Sequence, residues 1–126
     1  MPNSTPFIWH EINTPDTTEC KEFYTKCFGW ETSEMDMGEQ GVYTMFAMPG
    51  SKPFGGIVQM SGEQWKDVPA HWAVYLGVDD IQEEIKKVQL AGGKVIVPPF
   101  EIPDVGLTSL IQDPQGASIY LIQGNE

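Results

Sequence analysis

The sequence predicts an α+β fold: two βαβββ modules whose eight strands form a cupped mixed sheet, with the helices on the outer face. Three observations carry this reading. The stretch 71–93, HWAVYLGVDDIQEEIKKVQLAGG, reads as one strand running into one helix. The start of the chain repeats that pattern. After each copy come three short strand-like runs separated by turn residues.

In the second unit His71–Val78 is almost wholly apolar, aromatic or β-branched, which suits a buried strand. Asp79 and Asp80 offer capping oxygens, and Glu83 stands three residues after Asp80 in capping-box spacing. Ile81, Ile85 and Val88 recur at helical spacing and give one apolar face. Gly92 and Gly93 are placed to end the helix in the left-handed conformation.

In the first unit Phe7–Asn13 is strand-like, and Thr14-Pro15-Asp16 supplies a cap and a proline at a helix start. Cys20, Phe23, Tyr24, Cys27 and Phe28 fall on one helical face, and Gly29 closes the helix. Asp16 and Gly29 map onto Asp79 and Gly92 with an offset of 63, half of the 126 residues. The remaining strands are expected at Trp30–Met37, Val42–Met48, Gly55–Met60, Lys94–Ile102, Val105–Gln112 and Ala117–Gln123. Pro98-Pro99 should bend the run 94–102 and hold it at an edge. Gly38-Glu39-Gln40-Gly41, Pro103-Asp104 and Asp113-Pro114-Gln115-Gly116 read as turns. Ser61–Pro69, with its isolated Trp65, links the modules. These run over about 6–62 and 69–124 of a single domain covering 1–126.

Bulk composition narrows the function. Seven basic residues against eighteen acidic ones give a formal charge of −11. Nucleic-acid affinity rests on neutralising phosphates, so that charge argues against it, and equally against anionic membrane surfaces. No apolar run approaches the roughly 20 residues needed to span a bilayer. The start, MPNSTPFIWHEI, has neither a basic region nor an apolar run of signal-peptide length. The protein is therefore expected in the cytoplasm. Cys20 and Cys27 stand about two helical turns apart, too far for a disulfide, and are expected as reduced core residues.

Four motifs in this order and spacing carry a family resemblance. They are Phe23-Tyr24-Thr25-Lys26 with Phe28-Gly29-Trp30, Val78-Asp79-Asp80, Ala91-Gly92-Gly93-Lys94-Val95, and Asp113-Pro114-Gln115-Gly116. The chain resembles the vicinal oxygen chelate superfamily, which holds glyoxalase I, extradiol dioxygenases, fosfomycin-resistance enzymes and bleomycin-binding proteins. The resemblance implies the glyoxalase/bleomycin resistance/dihydroxybiphenyl dioxygenase-like fold over the whole chain. It also implies metal ligands on the first strand of each half and on the last strand. Here those positions fall on Trp9, Ala73 and Tyr120, none of them an ordinary ligand for a divalent metal. No cofactor is expected.

Strand alternation sorts the faces independently. Ile8, His10 and Ile12 share one side of the first strand; Phe7, Trp9, Glu11 and Asn13 share the other. Trp72, Val74, Leu76 and Val78 form an apolar side suited to the helices, leaving His71, Ala73, Tyr75 and Gly77 opposite. Ile119 and Leu121 likewise oppose Ser118, Tyr120 and Ile122. Trp9, Glu11, His71, Tyr75 and Tyr120 are thus expected to face the cup. Trp9, Glu11, Tyr75 and Tyr120 would line an apolar ligand site, Glu11 being a candidate base and His71 a further candidate for acid–base work.

Three functional readings follow. The leading one is a metal-free protein that binds or turns over a small organic ligand. The second is a metal-dependent lyase or dioxygenase using His10, Glu11 and His71, a two-His-one-carboxylate set that would need a strand slip to assemble. The third is a regulatory subunit without a ligand. A homodimer is expected, since open sheets leave edges that want covering. Gly55-Gly56 reads as a bulge or a close strand approach, and Met35, Met37, Met45, Met48 and Met60 as adaptable filling.

Overall fold

The computed structural model describes residues 7–102 and 105–124. The fold is α+β, an eight-stranded mixed sheet carrying two helices. It divides into two compact units, one Trp9–Trp72 and the other Ala73 onward together with the start of the chain through Ile8. The expected turn at 103–104 lies outside the described residues.

In the first unit the strands are β1 (Phe7–Thr14), β2 (Glu31–Asp36), β3 (Val42–Ala47) and β4 (Pro53–Gln59), in the order β2-β3-β4-β1. β1 and β4 run parallel; the other pairings are antiparallel. Helix α1 (Thr17–Phe28) starts where the Asp16 carboxylate accepts the Glu19 N–H at 3.0 Å, and it ends at Gly29 with φ 72°. Only glycine takes that left-handed cap without a side-chain penalty. Ile12, Cys20, Phe46 and Ile57 form the core between α1 and the sheet, with Tyr24, Trp30 and Phe54 packed against it. The expected apolar face of α1 is only partly buried. Cys20 and Tyr24 reach the core, whereas Phe23 beside them and Cys27 and Phe28 in the last turn are exposed. Cys27 is therefore not a core residue. The Ser61–Pro69 link holds a 3₁₀ turn at Glu63–Trp65.

In the second unit β5 (His71–Gly77), β8 (Ser118–Gly124), β7 (Gly106–Gln112) and β6 (Lys94–Ile102) lie in that order, with β5 and β8 parallel. The first two residues of β5 belong to the first unit. Helix α2 (Ile81–Leu90) is capped by Asp80, whose Oδ1 accepts the Gln82 and Glu83 N–H groups at 3.1 and 3.3 Å. The two caps are thus Asp16 and Asp80, so the true offset between modules is 64. Ile81, Ile85, Ile111 and Leu121 form this unit's core. Gly92 takes the expected left-handed conformation at φ 94°, but Gly93 does not. Gly93 is needed for space instead: a Cβ there would stand 2.8 Å from the Gln112 carbonyl oxygen and from Val88. Pairing of β6 with β7 slips between Val95 and Val97 and again between Val97 and Phe100, around the two prolines. At 113–116 the Gly116 N–H donates to the Asp113 carbonyl at 2.9 Å, closing the turn before β8.

Candidate functional site

On β1 the pleat separates two chemistries. Ile12 faces the helix-side core, and His10 on the same side donates from Nδ1 to the Phe54 carbonyl at 3.3 Å. Trp9, Glu11 and Asn13 face the other way. Glu11 is 8% exposed and Asn13 2% exposed, so two polar side chains in mid-strand have been taken out of water. Burial of that kind is costly unless the groups are hydrogen-bonded.

One partner of Glu11 is Tyr43, which sequence reasoning missed. Its phenol donates to Glu11 Oε2 at 2.6 Å and accepts the indole N–H of Trp9 at 3.0 Å. Tyr43 stands on β3 and Glu11 on β1, with β4 between them. The ring can cross β4 because the residue beneath it is Gly56, the register partner of both Glu11 and Met45. A Cβ on Gly56 would lie 2.0 Å from the Tyr43 hydroxyl. Gly55 serves a different need, for a Cβ there would meet the His10 carbonyl oxygen at 2.2 Å. The reading of Gly55-Gly56 as a close strand approach therefore holds at Gly55, whereas at Gly56 it is the Tyr43 side chain that comes close. That glycine pair inside a strand was the one available signal that a side chain passes over it.

The electrostatics of the triad are one-sided. Burial pushes the Tyr43 phenol far above its ordinary range; the negative Glu11 beside it and the hydrogen bond to it add to that, and only the Trp9 N–H opposes them. Tyr43 therefore stays protonated and keeps donating. Glu11 accepts that bond at Oε2, and the Trp9 indole N–H donates to the same phenol. A carboxylate in that setting can accept a hydrogen bond, or a proton, from a bound molecule.

Further along this face Asn13 Nδ2 lies 3.3 Å from His71 Nε2, and the other ring nitrogen of His71 donates to the Pro69 carbonyl at 2.8 Å. His71 is thereby held at the end of the row Trp9, Glu11, Asn13, with the Trp65 ring 6.3 Å from its own. The set His10, Glu11, His71 is not brought together, since β1 is unslipped at this point and His10 faces the opposite side from Glu11. Among the described residues no three His, Cys, Asp or Glu side chains are grouped to hold a metal ion.

In the second unit Tyr75 and Tyr120 are register partners on β5 and β8 and stack with centroids 4.6 Å apart and planes 10° apart. Both lie opposite Leu76 and Leu121, which face α2's side of the sheet. The four expected lining residues are thus two pairs, Trp9 with Glu11 in one unit and Tyr75 with Tyr120 in the other.

Residues 7–121 match the family model of the Glyoxalase/Bleomycin resistance protein/Dioxygenase superfamily. The chain belongs to that superfamily. It is 36% identical over 118 residues to a protein of Mycobacterium bovis named "Putative glyoxylase CFP32", covering 93% of this chain and 45% of that one. It is 30% identical over 125 residues to the anthracycline biosynthesis protein DnrV of Streptomyces peucetius, covering 87% and 44%. The chain thus spans under half the length of these relatives. Among solved structures it resembles the hypothetical protein BH1468 of Bacillus halodurans, with TM-score 0.73, 15% identity and coverage of 98% and 97%. It also resembles methylmalonyl-CoA epimerase of Mycobacterium tuberculosis, with TM-score 0.66, 15% identity and coverage of 100% and 94%. At those identities the superfamily fold is what is shared. Among the described residues no helix is long and apolar enough to cross a membrane.

Proposed function

We propose that this superfamily member binds a small organic molecule against the Trp9–Glu11–Tyr43 face and acts on it through Glu11, without a metal ion. The observation that carries the reading is the 2.6 Å hydrogen bond from Tyr43 to a carboxylate only 8% exposed in mid-strand. A purely structural position there would be better filled by an apolar side chain, because a buried charge replaced by a hydrophobe of like volume is often neutral or stabilising. Trp9 supplies an apolar, flat surface, and Glu11 the single charged anchor, the usual make-up of a small-molecule site. A divalent ion is poorly served by one carboxylate, a phenol and an indole. The relative named as a glyoxylase is consistent with chemistry on a small oxygenated molecule. In that chemistry Glu11 takes a proton from the bound molecule while Tyr43 holds the carboxyl group in place.

The test is native mass spectrometry of protein isolated without chelator or affinity tag, with metal analysis of the same sample. An organic adduct on the wild type that is lost from Glu11→Gln supports the proposal. Stoichiometric transition metal, or an adduct indifferent to Glu11→Gln, overturns it.

A further inference from the structure

We propose that the sheet face of the second unit that points away from α2 binds an uncharged, mainly apolar carbonyl compound, with Thr108 as its hydrogen-bonding anchor. No residue of the Glu11 face takes part, and the site stands whether or not that face binds a ligand.

Thr108 and Ser109 are neighbours on β7, and both are wholly buried. Their hydroxyls meet opposite fates. Ser109 points with Leu107 and Ile111 toward α2, and its Oγ donates to the Val97 carbonyl at 2.7 Å. Thr108 points to the other side, where its Oγ1 has no hydrogen-bond partner; no other buried side-chain atom among the described residues is left so. A buried hydroxyl left unpaired destabilises a fold, and valine would fill the same space without that cost. An orphan of this kind calls for a partner from outside the chain.

What surrounds the hydroxyl sets the class of that partner. Across from Thr108 stand Ile122 on β8 and Phe100 on β6. Two residues along β7 stands Leu110, itself across from Tyr120 and Val97. Register partners share a sheet face, so these side chains point the same way as Thr108. β5, β7 and β8 contain no Asp, Glu, Lys or Arg. On β6, Glu101 pairs with Leu107 and so faces α2, while Lys94 pairs with Gln112, four residues along β7 from Thr108. Among the described residues of these strands, a charged ligand would find no counter-ion beside Thr108 to offset its lost hydration. An apolar molecule would find aliphatic and aromatic contact, with a hydroxyl to fix its orientation. Ser109 shows what meets a buried hydroxyl on this strand, a carbonyl oxygen. Phe100 lies on the edge strand just past the slip at the two prolines and is 41% exposed, so it is the side chain that yields to admit the ligand.

The test titrates acetophenone and α-methylstyrene into the full chain and follows the methyl ¹H–¹³C resonances of Thr108 and Ile122. The two probes share one shape and differ in a carbonyl oxygen against a methylene group. Acetophenone is expected to shift both resonances saturably and to bind about fivefold more tightly, the worth of one neutral hydrogen bond. Thr108→Val, read at Ile122, should erase that preference and raise the urea midpoint of the unliganded protein. Thr108→Ser keeps the hydroxyl and should keep the preference. Equal affinities, a preference that survives in Thr108→Val, or one lost in Thr108→Ser would show that the hydroxyl is not an anchor and would overturn the proposal. A lower urea midpoint in Thr108→Val overturns it too, because the hydroxyl is then already satisfied, as by a bound water. If neither probe shifts the two methyl groups, the face is no binding site and the proposal falls.

Discussion

The parallel pairs β1–β4 and β5–β8 are built on one register and carry opposite chemistry. Glu11 sits across from Gly56, and 64 residues later Tyr75 sits across from Tyr120. In the second unit the two positions are filled by rings that stack on each other at 4.6 Å. In the first, one position is an acid and the other is empty, and the space above the glycine is taken by a tyrosine reaching over from the next strand. Duplication of a βαβββ unit thus preserved the backbone pairing and let the side chains diverge. One copy satisfies the face with apolar contact, and the other with a charge that must be held.

That contrast can be broken, and the largest effect should come from filling the gap. Gly56→Ala places a methyl group where the Tyr43 ring now lies. It should destabilise the protein by about 3 kcal/mol, at the upper end for overpacking. The same change in a Tyr43→Leu background should cost much less, because the obstructing ring is gone. Equal costs in the two backgrounds, by urea denaturation, would show that Gly56 is not there for Tyr43. Next in size, Tyr43→Phe deletes the donor to Glu11 and the acceptor for Trp9 in one step. A loss of about 2 kcal/mol is expected, as for hydrogen bonds to charged groups. A change in Trp fluorescence should accompany it.

Tyr120→Leu probes the other unit. It removes the stack but leaves no buried charge, so a loss of about 1 kcal/mol beyond the change in area is expected. A loss larger than that of Tyr43→Phe would reverse the contrast drawn here. The smallest effect is alkaline. Tyr43's folded pKa is raised above its unfolded value near 10, so the folded state holds the proton longer. Its contribution to stability is complete below about pH 10 and is lost as pH rises above that value. Stability should therefore fall above pH 10, and Glu11→Gln, by removing the neighbouring charge, should end that fall at a lower pH. An end point unchanged in equilibrium unfolding would mean that burial alone holds the Tyr43 proton.

Much of this was legible in the chain. Asp16 and Asp80 as caps, Gly29 and Gly92 as left-handed ends, and the bent strand 94–102 all rest on local rules, and the structure has each of them. The face assignment of Trp9, Glu11, Tyr75 and Tyr120 was legible because a strand's period of two needs no tertiary information. The burial of α1 was not. Helical spacing put Cys27 and Phe28 on the same stripe as Cys20, but which residues of a stripe are covered is decided by what packs against the helix.

By itself, then, the sequence determined the two βαβββ modules, their caps and turns, and which way each strand residue faces. These depend on backbone preferences and on periodicity within a few neighbours. What only the tertiary structure decided was the partner of Glu11. Tyr43 lies 32 residues away on a strand that does not touch β1, and it reaches Glu11 through a gap left by a glycine on a third strand. No local rule couples three strands. Their register and the size of one missing side chain set the distance, and both become defined only when the sheet assembles.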